Sequence, residues 1–174
     1  MKYSIAALLT VVASVTAQSC PSCPTIIPLY RGENDQITDH FYTASATELS
    51  TSAGYLFEGA AAGIFPTQVG ASVPLFRLFN SALGDHFYTT NTTERNAAVA
   101  DGYVLEDSPG FVYTSQICAS VPLYRLFLVD GTDHFYTTSA SERARALTGD
   151  FPYTDQGIAA YVPVSGVIEG TTLC

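Results

Sequence analysis

Short apolar stretches alternate along this chain with clusters of turn-forming residues. The stretch Val73–Phe79 is apolar and aromatic apart from one proline and one arginine, and it ends at an Asn-Ser pair. The segments around Leu29 and Leu123 have the same pattern. Runs of this kind predict β-strands. We expect a second strand at each His-Phe-Tyr-Thr segment, and a third and a fourth at Tyr103–Glu106 and Phe111–Thr114.

A tetrapeptide typical of a helix N-terminus follows each predicted second strand. Its first residue can accept a hydrogen bond from the amide of its glutamate, whose side chain can reach back to the first amide. A glycine, which commonly ends a helix, comes next. The tetrapeptides are Ser45–Glu48, Asn91–Glu94 and Ser139–Glu142, and the glycines are Gly54, Gly102 and Gly149. Each unit is therefore predicted to be β-β-α-β-β, with a helix of about two turns.

Two motifs occur three times at matching distances. The tetrapeptide Pro-Leu-aromatic-Arg begins at Pro28, Pro74 and Pro122, and the pentapeptide Asp-His-Phe-Tyr-Thr occupies 39–43, 85–89 and 133–137. Successive copies lie 46 and 48 residues apart. A period of this length indicates a repeated structural unit. We expect a single domain at 18–174 made of three repeats, at about 26–72, 73–120 and 121–168.

The predicted fold is mainly β with short helices. We expect a closed repeat domain with pseudo-threefold symmetry and three blade-like sheets, similar to a three-bladed propeller. The segment Val162–Val164 resembles the start of a unit, so the last strand is expected to complete a sheet with the first unit. A β-trefoil is the alternative, because it also has three units of this length. The helix predicted in every unit argues against a trefoil.

The first residues have the pattern of a secretory signal peptide. Lys2 is followed by the apolar run Ile5–Val12, and small residues at Val15 and Ala17 favour cleavage before Gln18. The run is too short for a membrane span, which needs about 20 apolar residues. We therefore expect residues 1–17 to be removed and the chain to be secreted, either into the medium or into the cell wall, with no membrane association afterwards.

The cysteines indicate an oxidising compartment, and the net charge excludes some classes of partner. Cys20, Cys23, Cys118 and Cys174 fit two disulfides that tie the terminal segments to the domain, and three pairings are open. The chain has 16 acidic residues against seven lysines and arginines, with a net charge of −9. Phosphate backbones and anionic lipids would repel so acidic a chain, so nucleic acid and membrane surfaces are excluded as expected partners.

The repeated motifs, with a capping Ser-x-x-Glu-Arg and a Gly-Tyr, resemble a family of secreted repeats in fungi and bacteria that is described as a domain of unknown function. The resemblance covers nearly all of the chain after the leader. Bacterial repeats of this kind are similar to modules appended to cell-wall hydrolases and surface proteins. The resemblance therefore implies binding to a glycan or a cell wall.

The first unit departs from this pattern at two positions. A leucine replaces the arginine after the capping glutamate, and a glycine replaces a leucine of the first strand. These residues are Leu49, against Arg95 and Arg143, and Gly32, against Leu78 and Leu126. If each unit holds a site, the first is expected to be the weakest.

Strand alternation divides each pentapeptide between two faces. Its histidine and tyrosine share one face, while its phenylalanine is expected in the core. The candidate ligand-binding residues are His40, Tyr42, His86, Tyr88, His134 and Tyr136. A structural role is expected for the tetrapeptide arginine and the pentapeptide aspartate, joined as ion pairs within each unit: Arg31 with Asp39, Arg77 with Asp85, and Arg125 with Asp133.

Three interpretations of the motif remain open. Its polar residues can form a buried hydrogen-bond network that fixes the register of each unit. Alternatively, the His-Tyr faces bind sugars at three weak sites that together give avidity toward a repetitive polymer. Thirdly, the three histidines converge on the axis around one Zn²⁺, although we assign no metal ligand and no cofactor from the sequence.

No catalytic motif is present. Catalysis needs unlike groups meeting at one place, whereas the polar residues that stand out here come in equal triplicate. We therefore expect a monomeric, non-enzymatic, lectin-like protein that binds an extracellular or cell-wall glycan. The alternative is a structural or host-interacting secreted protein whose motif only builds the fold. Asn91 also begins an N-glycosylation sequon, and a glycan there would compromise the helix cap.

Overall fold

The structure is a computed structural model that describes residues 20, 22 and 24–163. The expected leader, Cys23 and Cys174 lie outside the described residues. No helix within the described part is long and apolar enough to cross a membrane.

The described chain is mainly β, with short helices between the strands. The strands are β1 (Ile27–Asn34), β2 (Asp39–Thr43), β3 (Leu56–Ile64), β4 (Val73–Pro74), β5 (Phe76–Asn80), β6 (Asp85–Thr89), β7 (Val104–Glu106), β8 (Phe111–Val112), β9 (Val121–Leu128), β10 (Asp133–Thr137) and β11 (Thr154–Val162). The helices are α1 (Ala46–Thr51), α2 (Thr92–Ala100) and α3 (Ala140–Ala146).

Each unit forms its own small antiparallel sheet around its tetrapeptide strand. The strand orders are β2-β1-β3, β6-β5-β7 and β10-β9-β11, and β4 pairs with β8. In the first and third units one long, irregular strand, β3 or β11, replaces the two strands that were predicted. The closing strand expected at Val162–Val164 extends beyond the described residues, and its first residue, Val162, ends β11 and pairs with Val121 of its own unit.

The three pentapeptide strands meet in the middle of the molecule, where β2, β6 and β10 contact one another. The rings of Tyr42, Tyr88 and Tyr136 pack edge to face, with centroids 5.3–5.4 Å apart. The hydroxyl of Tyr88 donates to the carbonyl of Tyr42 and accepts from its N–H, both at 2.8 Å. Tyr136 bonds Tyr88, and Tyr42 bonds Tyr136, in the same way. The phenols thus satisfy buried backbone groups that no neighbouring strand pairs with.

The apolar core surrounds these tyrosines. Leu29, Leu75 and Leu123 of the tetrapeptides pack against them, each at most 1% exposed. A second cluster, which includes Phe65 and Tyr113, lies beside Cys118. Cys118 forms a disulfide with Cys20, so one of the predicted disulfide links to the N-terminal segment is confirmed. Such a bond is typical of proteins folded in an oxidising compartment.

The helix N-termini confirm half of the predicted capping boxes. The side chains of Ser45 and Ser139 accept from the amide three residues on, and Asn91 does the same in α2. The reciprocal half is wrong: the amide of each N-cap residue donates instead to the pentapeptide threonine, as from Ser45 to Thr43 at 3.0 Å. The capping glutamate is therefore available for contacts with another unit.

We predict that Tyr136→Phe lowers the free energy of unfolding by about 2–4 kcal/mol, because it leaves the buried N–H and carbonyl of Tyr88 without partners. Urea denaturation measures this loss. Tyr161→Phe is the control, since the Tyr161 hydroxyl makes no hydrogen bond within residues 24–163, and it should change stability by less than about 0.5 kcal/mol. Equal losses in the two variants would contradict the structural role of the axial hydroxyls.

Candidate functional site

The structure buries all six candidate ligand-binding residues. His40, His86 and His134 are 7–8% exposed, and the three pentapeptide tyrosines are 1% exposed. The exposed His-Tyr face expected from alternation is therefore wrong, because neighbouring units cover both faces of each pentapeptide strand. The tyrosine rings have no free face on which a ligand could stack.

Each pentapeptide aspartate joins its own unit to another. Asp39 accepts from the backbone N–H of His86 at 2.8 Å and from its Nδ1 at 2.6 Å, and the hydroxyl of Tyr55 also donates to it. The same contacts link Asp85 with His134 and Tyr103, and Asp133 with His40 and Tyr153. All three aspartates are 0% exposed, so these donors replace the water that the carboxylates have lost.

The tetrapeptide arginines bind the helix glutamates of a neighbouring unit. Arg77 lies 2.9 Å from Oε1 and 3.2 Å from Oε2 of Glu48, and its guanidinium packs 5.1 Å from the ring centroid of Phe41. Arg125 packs likewise on Glu94 and Phe87, and Arg31 on Glu142 and Phe135.

The predicted ion pairs within each unit are therefore wrong. They were Arg31–Asp39, Arg77–Asp85 and Arg125–Asp133. The arginine of the second unit reaches back to the helix of the first, whereas the aspartate of the second unit binds the histidine of the third. Arginine and aspartate of one unit thus contact opposite neighbours, and the contacts close into a ring through the first unit.

These contacts shift the ionisation of the groups that make them. Burial tends to raise the pKa of Glu94, but the hydrogen bonds from Arg125 and Thr89 outweigh it and lower that pKa. The pKa values of Glu48 and Glu142 are lowered in the same way by their own arginine and threonine partners. Burial opposes protonation of His40, yet Asp133 and two nearby glutamates outweigh it and raise the histidine's pKa.

The Asp-His pairs have the arrangement of a base and its orienting carboxylate, but no nucleophile accompanies them. Within residues 24–163, no Ser, Thr or Cys side chain hydrogen-bonds to any histidine. The interpretation of three histidines converging on one metal is also wrong for the described part, where each imidazole binds a different aspartate. The three aspartates do converge, with oxygens within 4.8 Å of one another, but each already accepts three hydrogen bonds.

The two departures of the first unit compensate for each other. Leu78 and Leu126 are 0% exposed, and Gly32 leaves their space open in the first unit. Leu49 fills this space from α1: its Cδ1 would lie 2.6 Å from a Cβ added to Gly32. Leu49 is consequently 4% exposed, although it occupies the position of two arginines that lie on the surface of α2 and α3.

The inward turn of Leu49 uncovers an aromatic ring. In the second unit the guanidinium of Arg95 lies 4.6 Å above the ring of Phe76, and in the third that of Arg143 lies 4.4 Å above Tyr124. Among the described residues, no arginine lies over the equivalent ring of the first unit, Tyr30. A cavity of about 370 Å³ opens there, lined by Tyr30, Ala46, Leu49, Ser50, Tyr55 and Phe57.

This aromatic pocket combines ring faces and edges at the surface. Phe57 is 66% exposed, and its ring meets Tyr30 edge to face at 5.9 Å. Sequence reasoning did not single out Tyr30 or Phe57 as functional residues. The only indication in the sequence was that Gly32 and Leu49 depart from the repeat pattern. We interpreted this as a weaker binding site in the first unit, and it did not lead us to expect an open pocket there.

Two further cavities lie between units. His134, Phe87 and Tyr103 line one of about 220 Å³, so His134 is a candidate residue that does border accessible space. A polar cavity of about 180 Å³ is lined by Arg31, Glu58 and parts of the third unit. The charged groups that line this polar cavity are largely paired with one another.

Comparison with known proteins identifies the family. The family described as Domain of unknown function (DUF5648) matches residues 21–163, which is most of the chain, so the chain belongs to this family. No curated protein and no solved structure matches it.

We predict that Glu94→Gln lowers stability at neutral pH but not in acid. Because the pKa of Glu94 is lower in the folded protein than its ordinary 4.5, the stability that it contributes is present above about 4.5 and is lost as the pH falls through the folded value. Thermal denaturation across this range should show the wild type and the variant converging at low pH. If the ion pair of Glu94 contributes nothing, the curves of Glu94→Gln and the wild type should instead run parallel across the whole pH range.

Proposed function

We propose that this member of the family is a secreted, monomeric, non-enzymatic protein that binds a neutral carbohydrate of the extracellular space or the cell wall. In this proposal the aromatic pocket of the first unit is the binding site. The observation that carries the proposal is the exposed Phe57 ring beside the half-buried Tyr30, over which the first unit places no arginine where the other two units place one over the equivalent ring.

The chemistry of the pocket suits a sugar ring. Small-molecule sites are concave and mostly apolar, with a few polar groups that orient the ligand. The C–H face of a pyranose can pack on Phe57, while Tyr30 and Ser50, which carry hydroxyls, line the same cavity. Within the described residues, the Tyr30 hydroxyl makes no hydrogen bond and is available to a ligand.

The charge of the chain favours a neutral ligand. With a net charge of −9, the protein repels uronic acids, sulfated glycans and other polyanions. Glucans, mannans and chitin-like polymers carry no such charge. The pocket belongs to the first unit alone, so binding at it does not involve avidity from three equal sites.

Two features support a binding role over catalysis. The Asp-His pairs lack a nucleophile within the described residues, and these carboxylates are inaccessible to a substrate. The repeated polar groups bind one another across unit boundaries. In the proposal this network holds the three units as one rigid, closed, three-bladed body on which the pocket is preformed.

The second candidate function is a structural or host-interacting protein without a glycan site. Burial of every pentapeptide side chain favours it, because the repeated motif is then fully explained by folding. The candidates differ in what the aromatic pocket does. Only the carbohydrate proposal requires Phe57 and Tyr30 for binding.

We predict that Phe57→Ala weakens retention on neutral polysaccharides by at least about tenfold, because the stacking surface is lost, a change of about 1.4 kcal/mol. The protein should stay folded, since this ring is largely exposed. Affinity electrophoresis in soluble glucan, mannan and chitin oligomers measures the retention. Leu105→Ala, at the equivalent position of the second unit, is the matched control and should bind normally.

A second variant closes the pocket without truncating it. Gly32→Leu together with Leu49→Arg gives the first unit the residues that the other two units carry, so the helix should remain packed and an arginine should cover Tyr30. We expect this double variant to be folded and to lose polysaccharide binding. Normal binding by both this variant and Phe57→Ala would rule out the pocket as the site.

A further inference from the structure

The first unit also brings a histidine and two glutamates together, away from the aromatic pocket. Nε2 of His40 lies 4.0 Å from Oε1 of Glu33 and 3.8 Å from Oε2 of Glu58. One atom from each of the three side chains lies within 4.8 Å of the other two. Glu33 and Glu58 alternate along their strands with Gly32 and Phe57, so they project to the other side of the sheet from the pocket.

The strand register explains this meeting. Glu33 of β1 is paired directly with His40 of β2, so their side chains share a face. Glu58 lies in β3 where the register between β1 and β3 shifts, between the partners of Arg31 and Gly32. Such bulges re-aim a side chain relative to regular pleating, and here the bulge carries Glu58 toward the histidine.

His40 is held in the orientation of a metal ligand. Its side chain is 8% exposed, and its Nδ1 is bonded to Asp133 at 2.7 Å. The hydroxyl of Tyr153 in turn donates to Asp133 at 2.5 Å. Within the described residues, Nε2 has no hydrogen-bond partner and points at the two glutamates. A carboxylate on the far nitrogen is the usual support of a metal-bound imidazole, because it fixes both the tautomer and the ring orientation.

The charge at this position is unbalanced. His40 lies beside the carboxylates of Glu33, Glu58 and Asp133. The neighbouring cation, Arg31, is paired with Glu58 and Glu142. A negative field of this kind favours a divalent cation. One imidazole with carboxylates is a ligand set that suits first-row transition metals such as Zn²⁺.

We propose that Glu33, His40 and Glu58 bind one divalent transition-metal ion, with water completing its coordination. Ligand atoms at about 2.0–2.2 Å from Zn²⁺ in a tetrahedron are roughly 3.4 Å apart. The observed 3.8 and 4.0 Å are slightly wider. Glu33 is 42% exposed and can move toward the ion, whereas Oε2 of Glu58, 27% exposed, accepts from Nε of Arg31 at 2.8 Å and must be shared between this arginine and the ion.

The other two units are built without this site. The partner of His86 across the strand pair is Phe79, and that of His134 is Phe127; both phenylalanines pack against the imidazole, at 4.4 and 4.5 Å between ring centroids. In the third unit, Gln156 occupies the position equivalent to Glu58, directly after the residue equivalent to Phe57. The metal site is therefore a property of the first unit, and it does not depend on the proposed carbohydrate binding.

The repeat supplies substitutions that remove the ligands and retain residues already tolerated by the fold. Glu33→Phe introduces the residue of the other two units, and Glu58→Gln introduces that of the third. Glu106→Gln is the matched control: Glu106 lies 3.7 Å from Nε2 of His86 but has no second glutamate beside it. Circular dichroism establishes that each variant is folded.

The test is calorimetric titration of Zn²⁺ into the full-length secreted protein, kept oxidised and freed of metal with a chelator. We expect one equivalent of Zn²⁺ per chain, unchanged in Glu106→Gln and weakened at least about tenfold in each of the other two variants. No binding by the wild type, or binding that survives both Glu33→Phe and Glu58→Gln, would overturn the proposal. Polysaccharide retention should be intact in Glu33→Phe, and Zn²⁺ binding intact in Phe57→Ala, so the two proposals fail separately.

Discussion

The bond from each axial tyrosine hydroxyl to the backbone of a neighbouring unit is the interaction on which the structure depends. Three strands that converge on an axis cannot all pair as a sheet, yet their inward N–H and carbonyl groups are too buried to bind water. One phenol per unit satisfies both groups of a strand in a neighbouring unit, as Tyr88 of the second unit does for Tyr42 of the first. Because donor and acceptor are used in the same direction in every unit, the bonds close only when all three units are present.

The other motif residues also bind between units, the arginine toward one neighbour and the aspartate toward the other, and together they make the units interdependent. Asp39 binds His86, while Arg77 binds Glu48 and covers Phe41, so these five side chains from three short motifs join the first and second units. The buried aspartates are stable only with their histidine and tyrosine donors in place, since a buried carboxylate without partners is costly. Removing the second unit, for example, would leave Asp39 and Glu48 of the first unit without their histidine and arginine donors, and His134 and Arg125 of the third without their acceptors.

Sequence patterns predicted what is local to one unit and failed for what lies between units. The N-caps at Ser45 and Ser139 and the pentapeptide strands depend on neighbouring residues, and they were predicted correctly. Alternation correctly separated Tyr42 from Phe41, but it describes directions and cannot say that another unit covers both faces. The partner of Asp39 is likewise set by the assembly of the units, because His86 is 47 residues away. The proposed sites at Phe57 and Glu33 were missed because motif matching draws attention to what the units share.

The distribution of identical and divergent residues among the three units therefore separates folding from function. A residue that closes the ring must be present three times, since each copy completes a contact begun by another unit. A ligand site has no such requirement and can use any position that the ring does not need. Gly32, Glu33 and Leu49 depart from the other two units at such positions, and Leu49 fills the volume that Gly32 leaves, so the change costs the core little. The differences in the first unit are compensated in the core. They also open an aromatic pocket on one face of its sheet and bring two carboxylates close to a histidine on the other, so we infer that the first unit is the functional one.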